Sequence, residues 1–199
     1  KEIIDIIREA GIVGMGGAGF PTHVKYMPKD PAAIDHIIVN CAECEPYLTS
    51  DYRRMSEEPE KIVGGLQATM KIFGGKVKGV LAVEDNKKDA AAKLREAAKG
   101  IPDIEVVELK TKYPQGAERQ LIFAVTGRQI NSSMLPADAG CVVNNCDTIH
   151  AVYEAVHFGR PVMKKVMTIT GNAIKEPQNL RVRTGTNFRE LIEEAGGFI

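Results

Sequence analysis

Apolar residues recur along this chain at two periods, and the switches between them mark out its elements. Ile3, Ile4, Ile6 and Ile7 share one helical face, so residues 2–9 are predicted to form a helix stopped at Gly11. The β-branched run Ile37-Ile38-Val39-Asn40-Cys41 predicts a buried strand whose polar end feeds a loop. The same logic predicts a helix over 57–73 ending at Gly74-Gly75, a strand over 77–84, an Ala/Lys-rich helix over 87–99 and a strand over 104–109. Helices near 117–126 and 145–157 follow, and then a strand over 166–170. Strands alternating with helices across short connections specify an α/β fold, a Rossmann-like, mainly parallel sheet flanked by helices. Ligands of such sheets lie beyond the carboxyl ends of the strands.

The texture changes after Gly171. Leu180 and Val182 alternate with Arg181 and Arg183 as a half-buried strand does, and a helix over 188–195 closes at Gly196-Gly197. The expected organisation is therefore an α/β domain over 1–165 and the beginning of a small second module over 166–199, cut short. A start at Lys1 inside an amphipathic pattern suggests a piece of a longer protein.

Composition removes several classes of function. Lys+Arg and Asp+Glu both total 26, so there is no charge excess to recruit nucleic acid or an acidic membrane surface. No apolar run approaches the roughly 18 residues of a spanning helix, and no secretory signal pattern opens the chain. Cys41, Cys44, Cys141 and Cys146 then read as reduced thiols. Their two close pairs could suggest a thiolate metal site, but they lack the usual knuckle spacing; small buried side chains beside a pocket explain them better, and no metal is assigned.

The candidate chemistry starts with Gly14-Met15-Gly16-Gly17-Ala18-Gly19-Phe20-Pro21-Thr22-His23-Val24-Lys25. Clustered glycine N–H groups make an anion cradle, and Lys25 supplies a mobile positive charge. The preceding element reads as a helix rather than a strand, so the dinucleotide fingerprint is not met. After the first strand, Asn40-Cys41-Ala42-Glu43-Cys44-Glu45-Pro46-Tyr47 offers an amide and acids suited to ribityl or ribose hydroxyls, or simply a solvated loop. Tyr113-Pro114-Gln115-Gly116-Ala117-Glu118 offers a stacking ring, or an ordinary helix start with Glu118 favouring the dipole. Asn144-Asn145 either face a ligand or cap a helix. The scattered histidines and Arg53-Arg54 read as structural or solvated.

Together, GMGGAGFPTHVK, NCAECEPYLTSD, YPQGAERQL and VVNNCDTI, in this order and spacing, resemble the flavin subunit of respiratory complex I and its relatives. The resemblance is strongest for the C-subunit branch of the Rnf electron-transport complex, a membrane-associated ferredoxin:NAD oxidoreductase. It implies an FMN in the α/β domain, with Gly14, Gly16, Gly17, Lys25, Asn40, Glu43, Tyr113, Gly116, Glu118, Asn144 and Asn145 at the flavin. It implies NAD(H) stacking over that flavin, met by Phe20 and Glu45. No catalytic side chain is implied, because hydride passes to the flavin itself.

Met15, Ala42 and Ala117 stand where the complex I pattern has an arginine, an aspartate and a glutamate, as in the Rnf branch. The tail resembles the entry to a β-grasp ligand-binding module. The 4Fe-4S segment of Rnf-type proteins is expected beyond this piece, and the four cysteines do not match it. The resemblance further implies a peripheral place on the cytoplasmic side of a bacterial membrane, other Rnf subunits as partners and ferredoxin as an indirect one. A cobalamin-reducing flavoprotein on the same core and a flavin-less docking scaffold are the rival readings.

Overall fold

A computed structural model describes residues 1–74 and 76–199, so Gly75, half of the expected glycine helix stop, lies outside the described residues. The elements run α1 (Glu2–Glu9), α2 (Thr22–Lys25), β1 (His36–Cys41), α3 (Ser50–Glu57), α4 (Pro59–Ile72), β2 (Lys78–Glu84), α5 (Lys88–Ala97), β3 (Ile104–Leu109), α6 (Glu118–Thr126), β4 (Cys141–Asn145), α7 (Cys146–Phe158), β5 (Lys164–Ile169), β6 (Gln178–Arg183) and α8 (Phe188–Glu194).

Strands β1 to β4 form one four-stranded parallel sheet in the order β3-β2-β1-β4. The chain lays down β1, β2 and β3 in one direction, then returns to place β4 on the free side of β1. That reversal creates a switch point between β1 and β4, where a crevice opens at the carboxyl ends. Ile37, Ile38 and Val39 are fully buried, as a strand covered on both faces requires. Each such side chain contributes about 1.5–3 kcal/mol by leaving water.

The larger core layer packs α1, α4 and α7 on one face of the sheet through Ile7, Ile62, Leu66, Leu81, Ile149 and Val152. The smaller layer covers the other face with α6, through Leu121 and Ile122 against Ile38, Val80 and Val143. Two glycines set how near α4 comes to α7. A Cβ on Gly65 would press into the Ile149 carbonyl, and one on Gly64 into the Tyr153 ring. Strands β5 and β6 form a separate antiparallel pair, with α8 following.

Three expectations change. The helix expected over 57–73 is α4, which starts two residues later because Pro59 cannot donate to a preceding turn; Glu57 instead closes α3, which is not among the predicted elements. β4 is not among the predicted elements, because its two terminal asparagines read as a helix cap. Asn145 is that cap, its Oδ1 accepting from the Asp147 N–H at 2.9 Å, but the five residues Cys141–Asn145 pair with β1 first. Arg54 is not a solvated residue either. It is 8% exposed and bonds Asp147 at 2.7 Å, while Glu58 and His150 complete the network.

Candidate functional site at the strand ends

The register pairs Asn40 of β1 with Asn145 of β4 at the carboxyl end of the sheet. Asn40 Nδ2 donates to the Gly116 carbonyl at 2.8 Å, and its Oδ1 accepts from the Ala42 N–H at 3.1 Å. Asn40 thereby ties the loop after β1 to the loop after β3. Gly116 is needed for this approach, because a Cβ there would collide with the Ala42 carbonyl.

The glycine loop lies across the same edge. An isolated bridge between Val13 and Pro21 and a bond from the Gly14 N–H to the Phe20 carbonyl at 2.8 Å close its base. The Met15 N–H donates to Thr148 Oγ1 on α7 at 2.9 Å, and Gly16 packs against Asn145. Gly17 has a φ of 137°, in the region that favours glycine. Beyond these anchors the N–H groups of Gly16, Gly17 and Ala18 bond no acceptor among the described residues, and the loop is open to solvent there. Successive free donors in a glycine-rich turn are the raw material from which backbone dipoles build an anion site.

Lys25 sits at the end of α2 and is committed more closely than its mobile charge suggests. Its Nζ donates to the Val143 carbonyl at 2.7 Å and lies 3.5 Å from Glu118 Oε1, joining the loop to β4 and to the start of α6. Glu43 turns toward α3, where its carboxylate accepts from the Asp51 and Tyr52 N–H groups at 2.8 and 3.1 Å. Asp51 in turn accepts from Asn145 Nδ2 at 2.6 Å. Burial, and then the neighbouring Glu43 carboxylate, push the Asp51 carboxyl up to about 7. Tyr113 is 67% exposed and donates to Glu45 at 3.3 Å; Phe20 is 48% exposed. Asn144 is buried with an Nδ2 that meets no acceptor among the described residues.

The residues assigned from the sequence therefore gather on this one edge, many of them bonded to one another. The set fits a phosphate-bearing heteroaromatic ligand: free amides for the anion, exposed rings for stacking, and acids and amides for hydroxyls. Sequence reasoning passed over Thr148, Asp51 and Lys165, whose Nζ reaches the Met15 carbonyl at 3.1 Å. It also passed over the link from Thr49 to Thr168 and Asn179. These partners are distant in sequence, and nothing local announces them. The cysteines are mostly buried side chains, as expected: Cys41, Cys141 and Cys146 are buried and Cys44 is half-buried. Cys41 and Cys146 are buried side by side, and hydrogen bonding between them raises the cost of ionising Cys146, whereas Cys141 begins β4 near Arg128.

An α/β sheet with a glycine-rich anion loop over its switch point defines a nucleotide- or flavin-binding class. Residues 7–154 match the family model described as the Nuo51 FMN-binding domain, and residues 166–199 match that of the SLBB domain. The chain belongs to the Nuo51 FMN-binding domain family. It is 52% identical over 198 residues to the C-subunit of the proton-translocating ferredoxin:NAD(+) oxidoreductase complex of Clostridium ljungdahlii, covering 100% of this chain and 43% of that protein. It is 40% identical over 194 residues to the C-subunit of the ion-translocating oxidoreductase complex of Pseudomonas aeruginosa, covering 98% of this chain and 25% of that protein. The chain thus spans less than half the length of these relatives. A crystal structure of NAD+-reducing [NiFe]-hydrogenase in the H2-reduced state superposes with a TM-score of 0.83 at 23% identity, over 97% of this chain and 38% of that one, so the fold is shared. Among the described residues no helix is long and apolar enough to cross a membrane.

Proposed function

We propose that this chain is the FMN- and NAD(H)-binding part of an Rnf-type C-subunit, passing electrons between NADH and iron–sulfur clusters or ferredoxin. The observation that carries the proposal is the row of free N–H groups at 16–18, beside the Asn40–Asn145 switch point, where Gly16 packs on Asn145. In this reading the flavin domain expected over 1–165 gives way to the β-grasp module, expected from 166, two residues earlier: Lys164 and Lys165 already pair with β6, so β5 and everything after it belong to the second module. FMN, when bound, supplies two-electron acceptance from NADH and single-electron release to clusters.

The chain's own residues bind and orient. Gly14, Gly16, Gly17 and Lys25 hold the phosphate side. Asn40, Glu43, Tyr113, Gly116, Glu118, Asn144 and Asn145 frame the flavin. Phe20 offers a face to the nicotinamide nucleotide, and Glu45 offers acceptors to ribose hydroxyls. The 4Fe-4S clusters, the other members of the complex and attachment at the cytoplasmic face of the membrane belong to the same proposal.

Titrating FMN against the protein while following quenching of flavin fluorescence tests it. Saturable binding in the micromolar range, followed by NADH-dependent ferricyanide reduction, is the expected result. No saturation removes the flavin reading and leaves the docking scaffold.

A further inference from the structure

The glycine loop is gripped from two sides at a single residue. Thr148, at the start of α7, accepts the Met15 N–H at 2.9 Å. Lys165, on β5 of the second module, donates to the Met15 carbonyl at 3.1 Å. Met15 is therefore fixed at both of its polar backbone atoms, by elements separated in sequence and belonging to different parts of the fold.

The direction of that grip matters for the next peptide unit. A trans peptide is planar, so its C=O and the N–H that follows point opposite ways. Holding the Met15 carbonyl toward β5 aims the Gly16 N–H away from it. That N–H is the first of the free donors at 16–18. The loop from Gly14 to Phe20 carries no cation of its own. Among the described residues Lys165 is the one cationic side chain hydrogen-bonded to it. Lys25 bonds Val143 and Glu118 and no atom of this loop.

We propose that Lys165 is a positioning residue of the cofactor site: by holding the Met15 carbonyl, it sets the direction of the Gly16 N–H and places positive charge beside the loop that takes a phosphate-bearing flavin. The second module is then part of the flavin site and not an appendage to it. The inference rests on the flavin reading above. The hydrogen bond is charge-assisted and about twice as strong as a neutral one, so its loss is felt at the loop.

The test is FMN affinity by fluorescence quenching in the full chain, with apoprotein melting temperature measured alongside. Lys165→Met, close in shape but without a donor, is expected to bind FMN about tenfold more weakly, the scale of one hydrogen bond to a charged group. Lys165→Arg restores the donor and is expected within about threefold of wild type, because arginine keeps the charge-assisted bond. Lys164→Met, one position away on the exposed side of β5, serves as the control and leaves affinity unchanged. The melting temperature of apo Lys165→Met stays at the wild-type value. Unchanged affinity in Lys165→Met, failure of Lys165→Arg to rescue, or equal losses in both methionine variants overturns the proposal while flavin binding stands. No saturation by wild type overturns the flavin reading and this proposal together.

Discussion

Asp51 shows how a single carboxyl can shape the pH response of the site. Its pKa in the folded chain stands near 7 against an ordinary value of 3.8, so the folded chain keeps this proton where the unfolded chain has lost it. The sign follows: its contribution to stability is intact below about pH 4 and is lost as pH rises toward about 7. His150 works in the other direction, because burial and then the Arg54 charge lower its pKa to about 4, and stability is lost as pH falls from 6.5. Asp51→Asn keeps an acceptor for Asn145 and removes the titration. Its stability relative to wild type is expected to grow between pH 4 and 7, by up to about 4 kcal/mol, and to level off by pH 8, read by urea denaturation. A difference that does not vary with pH contradicts the assignment. Asp51 was illegible in the sequence because Asn145 is supplied by a strand 94 residues away. Lys25 was legible as a charge but not as a bonded one. Removing it strips the Val143 carbonyl of its donor, so Lys25→Ala is expected to weaken FMN binding more than replacement of any single cysteine. Equal affinities across those variants would contradict the placement of the anion.

At the scale of elements, the long β-branched and helical runs could be read directly, because period alone decides them. β4 could not, since a five-residue strand running straight into α7 leaves no turn signal between them. The start of α4 at Pro59 carried a signal, but the helical pattern that follows drew the expected boundary back to 57, and α3 before it was not predicted at all. Neither could the sequence show why Gly64-Gly65 lies mid-helix, where glycine costs about 1 kcal/mol relative to alanine. The structure supplies the reason: α4 and α7 touch backbone to backbone at Gly65 and Ile149. Gly65→Ala therefore reverses its propensity gain, forcing the helices apart at a cost of about 1–3 kcal/mol. The melting temperature should fall, and because α7 carries Thr148, FMN affinity should fall with it. A stabilised variant would show that the helices separate freely.

For the molecule as a whole, the four motifs of the sequence converge because one topological reversal places β4 beside β1. Their convergence was legible only through the resemblance; periodicity alone left each motif with an ordinary alternative. What no local pattern carried was the reach of the β5–β6 pair to both the glycine loop and the loop after β1. Lys165 meets the glycine loop, while Thr168 accepts the Thr49 N–H at 3.1 Å at the far end of the loop after β1. Asn179 joins the two threonines, donating to Thr49 Oγ1 at 2.9 Å and accepting from Thr168 Oγ1 at 2.7 Å. Asn179→Ala removes both bonds at once without touching the sheet core. Exposed hydrogen bonds of this kind contribute about 0.5–1.5 kcal/mol each, so the fold should survive. The effect belongs to local opening instead: amides of the 42–49 loop should exchange hydrogen several-fold faster, while those of β1 and β2 keep their protection. Exchange unchanged in that loop would mean that the second module lies against the flavin domain without holding it. Faster exchange through β1 as well would mean that the hairpin supports the sheet and not the loop.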